Sequence, residues 1–111
     1  MPPDFRPVGQ EERDDYFAAL RRMPLASSDY SFVTLWAWRE ECGYEWATDP
    51  AAPGLFWIRE THPAPLLYAP AGDWNRDWAR LLRRLWPEGA VFDHVPAPLA
   101  LLWKRQLGAR V

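Results

Sequence analysis

Apolar positions recur along the chain in segments with helical or strand-like spacing, and prolines and glycines separate them. Phe5 to Val8 is a short apolar stretch closed by Gly9 and fits a first strand. From Gln10 to Arg22, Tyr16, Phe17 and Leu20 fall at i, i+1 and i+4, with Met23 one turn on and polar residues from Glu11 to Asp15. This spacing predicts a helix. Its acids lie in the first turns and Arg21 and Arg22 in the last, as the helix dipole favours, and Pro24 ends it. Ser27-Ser28-Asp29 offers N-cap chemistry for a second helix, about Asp29 to Glu41. Phe32, Val33, Leu35, Trp36, Ala37 and Trp38 surround most of that helix, which predicts burial on more than one side. Gly43 suits its C-terminal cap.

Three strand-like runs follow, Tyr44 to Thr48, Leu55 to Glu60 and Leu66 to Ala69, with proline-containing linkers between them. Short connections of this kind predict an antiparallel meander. Asp73 to Trp86 carries the clearest helical stripe: Trp74, Trp78, Leu81, Leu82 and Leu85 align, with arginines opposite and Pro87 at the end. Ala90 to Val95 reads as a strand. Pro96-Ala97-Pro98 opens a last helix to about Leu107, with Gly108 as its cap. Ala109 to Val111 fits the start of another strand.

The order is therefore β-α-α-β-β-β-α-β-α. It predicts an α+β fold, a mixed and mainly antiparallel sheet flanked by helices. It resembles the GNAT (acyl-CoA N-acyltransferase) fold up to that fold's fourth helix, lacking the closing strands.

Composition narrows the picture. The chain has 111 residues, one domain's worth. Its net charge of −2 gives no reason to expect DNA or non-specific nucleic-acid binding. Cys42 is the only cysteine, so no intrachain disulfide forms. The N-terminus lacks the apolar run of a signal peptide, and no stretch reaches the ~18 apolar residues of a membrane span. The expected location is cytoplasmic. Eight tryptophans are too many to leave in water, so most are expected in the core, with one or two left for an interface.

Two segments carry candidate binding chemistry. The loop Ala69-Pro70-Ala71-Gly72-Asp73-Trp74 joins a strand to the strongest helix. In active GNAT enzymes this junction binds the pyrophosphate of acetyl-CoA, because a helix N-terminus presents free N–H groups and a positive dipole end. Here only Gly72 answers the glycine-rich signature, and Asp73 puts a carboxylate where a phosphate would sit. The competing reading is a plain turn with Asp73 as helix cap. The second segment is the arginine face, Arg76, Arg80, Arg83 and Arg84. It suits a phosphate, an RNA backbone or a lipid headgroup, and equally a solvated helix face with Asp73–Arg76 and Asp77–Arg80 pairs. His62, His94 and Cys42 show no metal-ligand spacing, no metal or other cofactor is expected, and no catalytic residue can be assigned. Asp93 and His94, adjacent on a strand, point to opposite faces.

Ser28-Asp29-Tyr30-Ser31-Phe32-Val33-Thr34-Leu35-Trp36-Ala37-Trp38-Arg39 resembles the S-D-Y-S-F-x-x-L-x-x-W stretch of bacterial proteins similar to the C-terminal domain of phosphatidylglycerol lysyltransferase. A Tyr-containing strand ending in a Pro–Gly loop, Tyr68-Ala69-Pro70-Ala71-Gly72, follows in a similar order. The resemblance spans nearly the whole chain and rests on Ser28, Asp29, Tyr30, Phe32, Leu35 and Trp38. It implies a tandem of two GNAT-like halves, of which residues 1–111 correspond to the first. The second half carries most of that family's recognisable transferase residues.

On that resemblance the chain is a non-catalytic or substrate-positioning half-domain of an aminoacyltransferase-like protein. Its implied partner is a second GNAT-like half. Aminoacyl-tRNA, anionic lipid and a peripheral membrane location enter through the family alone. Two other readings stand beside it. One is a free-standing N-acyltransferase using acetyl-CoA or another acyl-CoA. The other is a self-associating interaction domain, because a sheet without closing strands has an open edge.

Overall fold

Residues 3–24 and 28–108 are described by the computed structural model of the chain. Its β-strands are β1 (Arg6–Pro7), β2 (Glu45–Asp49), β3 (Ala52–Glu60), β4 (Leu66–Ala71) and β5 (Phe92–His94). They form one sheet in chain order. β1 to β4 pair antiparallel, β1 to β2 across the long helix-bearing segment between them and β2 to β4 through short connections, and β4 pairs with β5 in parallel. A parallel neighbour requires a crossover, and α4 (Trp78–Leu85) supplies it. The other helices are α1 (Arg13–Arg22), α2 (Phe32–Ala37), α3 (Arg39–Cys42) and α5 (Ala97–Leu107). The molecule is thus α+β, with a mixed five-stranded sheet flanked by helices, in the order expected from the sequence except that the second expected helix is split into α2 and α3.

Strand alternation sorts the side chains into two cores. Along β3, Phe56 and Ile58 join Tyr16, Tyr30, Phe32, Leu35 and Trp46 beneath α1 and α2. Leu55 and Trp57 point the other way and pack with Trp74, Trp78, Leu81, Leu85, Leu99 and Trp103 beneath α4 and α5. A long strand covered on both faces reads as the near-continuous apolar run Leu55–Ile58, which is why it carries no alternating pattern.

β5 departs from simple alternation. Phe92 pairs with Leu67 and His94 with Tyr68, so the register shifts between the two pairs. As a result Phe92 packs against Trp57 and Trp103, while His94 stacks on Tyr68, a member of the opposite core.

Three helix boundaries differ from the sequence reading. The expected helix from Asp29 to Glu41 is a 3-10 turn (Ser28–Tyr30) followed by the short helices α2 and α3, which share Trp38 as a joint. Its cap is Ser31, whose hydroxyl accepts the Thr34 N–H; Ser27 lies outside the described residues. The expected helix from Asp73 to Trp86 begins only at Trp78, capped by Asp77. The expected helix from Gln10 opens as a 3-10 turn over Gln10–Glu12. Gly43 closes α3 at φ 60°, a left-handed value open to glycine. The expected strand from Ala109 to Val111 lies outside the described residues.

Candidate functional site

The β4–α4 junction is built from indole-to-carbonyl bonds. Trp74 Nε1 donates to the Pro70 carbonyl at 2.9 Å, and Trp78 Nε1 donates to the Trp74 carbonyl at 2.8 Å. Both rings are buried. Gly72 sits at φ 139°, and a Cβ there would lie 2.8 Å from the Gly54 carbonyl oxygen, so only glycine passes the β2–β3 hairpin this closely.

Asp73 does not cap the helix, because five loop residues separate Gly72 from Trp78. Its carboxylate instead accepts the Asn75 N–H at 3.0 Å. The start of α4 is then closed twice. Asp77 accepts the Arg80 N–H at 3.2 Å. Gln106, arriving from α5, accepts the Trp78 N–H and donates its own Nε2 to the Arg76 carbonyl at 2.9 Å. The N–H groups that a helix start offers to an anion are here bonded to the protein's own side chains at its first and third positions.

The four arginines do not share one helix face. Arg76 lies in the loop and donates to the Asp73 and Pro53 carbonyls, so the expected Asp73–Arg76 pairing on a helix is replaced by side-chain-to-backbone bonds. Arg80, Arg83 and Arg84 lie on α4 and are exposed. Arg84 reaches Asp49 of the β2–β3 hairpin at 3.8 Å.

The segment from Ser28 to Trp38 divides by role. Tyr30 is buried and donates its hydroxyl to the Ala69 carbonyl at 2.8 Å, and its own carbonyl accepts from Tyr16 at 2.5 Å. Thus the first motif of the resemblance is bonded to the second, at Ala69. Ser31 caps α2, and Phe32 and Leu35 are core. Asp29 is exposed. Trp38 is 54% exposed, the one indole here that packing does not explain. Of the others, five are buried and Trp36 and Trp86 are half-buried, as the expectation of a mainly internal tryptophan set requires.

A further cluster escapes sequence inspection. Glu60, at the end of β3, accepts from Tyr68 at 2.5 Å and from Tyr44 at 3.2 Å. His94 stacks on Tyr68 with centroids 4.4 Å apart. Burial pushes the Tyr44 phenol up to about 12 and Tyr68 further in the same direction, where the bond to Glu60 adds to it. Tyr44, Glu60, Tyr68 and His94 come from three different strands and the residue before β2. Only register joins them, so no local spacing marks the group. Asp93 and His94 form no dyad, in keeping with their adjacent positions; both side chains are exposed.

Among the described residues no helix is long and apolar enough to cross a membrane, and no group of three or more His, Cys, Asp or Glu side chains is placed to hold a metal ion. No protein-family model, no curated protein and no solved structure matches the chain.

Proposed function

We propose that this chain is a GNAT-like half-domain that positions or scaffolds rather than catalyses, of the kind that forms the first half of phosphatidylglycerol lysyltransferase C-terminal-domain-like proteins. The observation that carries the reading is the closed start of α4. A GNAT-type transferase needs free N–H groups at this strand-to-helix junction to hold an acyl-CoA pyrophosphate. Here Gln106 and Asp77 already accept the Trp78 and Arg80 N–H groups, and Asp73 accepts that of Asn75. An incoming pyrophosphate must displace these acceptors and approach two carboxylates, which opposes binding. The lineage draws its support from the element order and from the Tyr30–Ala69 bond that ties the two motif segments together.

Titration with acetyl-CoA tests this directly, because Trp74 and Trp78 flank the junction and report through their fluorescence. The expected result is no saturable change at millimolar ligand. Saturable binding would replace the reading with a free-standing acyl-CoA-dependent N-acyltransferase. Gel shift with aminoacyl-tRNA and flotation with anionic vesicles then separate positioning from scaffolding. Binding to either supports positioning; binding to neither leaves a scaffold for a second GNAT-like half.

One observation favours self-association as a second reading. β5 ends the sheet, and among the described residues no strand pairs with its outer edge. Val91 beside it is 80% exposed. An open edge next to apolar surface pairs readily with another chain. Sedimentation at high concentration decides this: a strict monomer removes the second reading.

A further inference from the structure

A cleft of about 860 Å³ opens between α4, the turn that follows it and α5. Leu82, Trp86, Phe92, Val95, Trp103 and Leu107 give it apolar walls. Its volume lies in the range of small-molecule pockets, roughly 300–1,000 Å³. Its charged lining residues come from different elements: Arg83 from α4, Lys104 from α5, and Glu88 from the turn between α4 and β5.

Two buried donors near this space lack partners. Trp103 lines the cleft and is 2% exposed, yet its Nε1 has no hydrogen-bond partner. Trp57 lies behind it in edge contact with Trp86, centroids 4.8 Å apart, and its Nε1 is also unpaired. Native proteins rarely leave buried N–H groups unsatisfied, since each such group costs stability. Apolar walls with a net positive set of charged lining residues fit a ligand that is mostly hydrocarbon and brings an anionic group. The apolar face of a partner helix brings none. Two cations against one carboxylate leave a single positive charge on the cleft, which matches a monoanion better than a dianion.

We propose that the α4–α5 cleft binds a small apolar monocarboxylate. The alkyl or aryl body lies among Trp86, Phe92 and Val95. The carboxylate is held by Arg83 and Lys104. This site is independent of the transferase lineage, since it uses neither the Asp73 loop nor the segment around Trp38.

The test is calorimetric and fluorimetric titration of the 111-residue chain with decanoate and with naphthoate, each against its uncharged alcohol, decanol and naphthalenemethanol. At least one carboxylate is expected to bind with a submillimolar Kd, about fivefold or more tighter than its alcohol. Comparing the two carboxylates settles whether the body is alkyl or aryl. Arg83 and Lys104 are exposed, so the double change Arg83→Gln with Lys104→Gln leaves the core intact. It is expected to erase the preference for carboxylate while sparing alcohol binding. Ala100→Phe, which fills the cleft, is expected to abolish both. Three results would each overturn the proposal: no carboxylate binding at millimolar concentration, equal affinity for the alcohol, or unchanged carboxylate affinity in the double variant. Urea midpoints of the variants verify that each remains folded.

Discussion

The two sides of the sheet are both dense in aromatic rings, yet they treat the polar tips of those rings differently. Beneath α1 and α2, all four tyrosine hydroxyls are bonded: Tyr16 to the Tyr30 carbonyl, Tyr30 to the Ala69 carbonyl, Tyr44 and Tyr68 to Glu60. Trp46 Nε1 donates to Glu12, whose carboxylate also pairs with Arg6. Beneath α4 and α5, Trp74 and Trp78 spend their N–H groups on the Pro70 and Trp74 carbonyls, while Trp57 and Trp103 find no acceptor. One side therefore fixes its packing with directional bonds. The other relies on apolar contact and keeps unused donors beside a cleft. A satisfied polar network specifies a single arrangement of a core; buried donors left unpaired cost stability instead.

The largest test of this contrast removes a tryptophan from each side. Trp46→Ala and Trp57→Ala are each expected to cost about 3–5 kcal/mol, because both indoles are fully buried. Phenylalanine separates the two sides better than alanine. Trp46→Phe deletes the bond to a carboxylate and removes one of the partners that hold Glu12. Trp57→Phe deletes a donor that had no partner. Trp46→Phe is therefore expected to cost about 1–3 kcal/mol more than Trp57→Phe, read from urea midpoints at unchanged m value. Equal costs would mean that hydrogen bonding is not what distinguishes the two sides.

Tyr30→Phe is the next largest, at about 1–3 kcal/mol, because it leaves the buried Ala69 carbonyl without the Tyr30 donor. The change also loosens the link between the Ser28–Trp38 segment and the strand entering the β4–α4 junction. Faster amide exchange in the loop after β4 is the expected accompaniment. Exchange that is unchanged there would confine Tyr30 to ordinary core packing.

The order of elements was legible because prolines and glycines punctuate it and because apolar residues recur at helical spacing, though on the second helix they ring most of the surface while Val33 and Trp38 are exposed. The start of α4 was not, for a physical reason. Trp74 and Trp78 are four residues apart, as on a helix. Yet that spacing also lets Trp78 Nε1 reach the Trp74 carbonyl, and Pro70 and Trp74 repeat the step. A relay of side-chain bonds thus mimicked a helical stripe through the loop. Ser31 was hidden as a cap behind the stronger-looking Ser27-Ser28-Asp29. Gln106 and Glu60 carry no local signal at all, since their partners lie 28 and 30 residues away for Gln106 and 16 and 8 for Glu60. Such contacts depend on how strands and helices pack, which periodicity does not encode.

Titration gives a smaller but side-specific effect. A tyrosine ordinarily ionises near pH ~10, and burial moves Tyr44 up to about 12, with Tyr68 shifted the same way. A phenol whose folded pKa is raised adds stability that is fully present below its unfolded pKa. That stability is lost as pH rises through the folded value. The urea midpoint is therefore expected to fall between pH ~10 and about 12, in step with phenolate absorbance, and Tyr44→Phe should lessen the fall. At the acid end, the hydrogen bond from Arg6 holds the Glu12 carboxyl below its ordinary range. Its contribution is present above the usual carboxylate pKa and is lost as pH falls through the lowered one. Glu12→Gln should remove that acid-side slope. Both effects belong to the α1–α2 side. The α4–α5 core contains no tyrosine, so a Trp57→Phe background should leave both slopes unchanged.

The smallest expected difference lies between the two helix caps. Ser31 alone caps α2, accepting the Thr34 N–H, and Ser31→Ala is expected to cost about 1 kcal/mol. Asp77 caps α4 by the same geometry, but Gln106 also holds the Trp78 N–H, two residues closer to the loop. Asp77→Ala should therefore cost less than Ser31→Ala, because the helix start stays anchored to α5. Combining Asp77→Ala with Gln106→Ala removes both acceptors. It should cost more than the two single changes added together, since each single variant retains the other's support. Strict additivity would show that the two acceptors act separately. The closure of α4 would then be two unrelated bonds rather than one shared clamp.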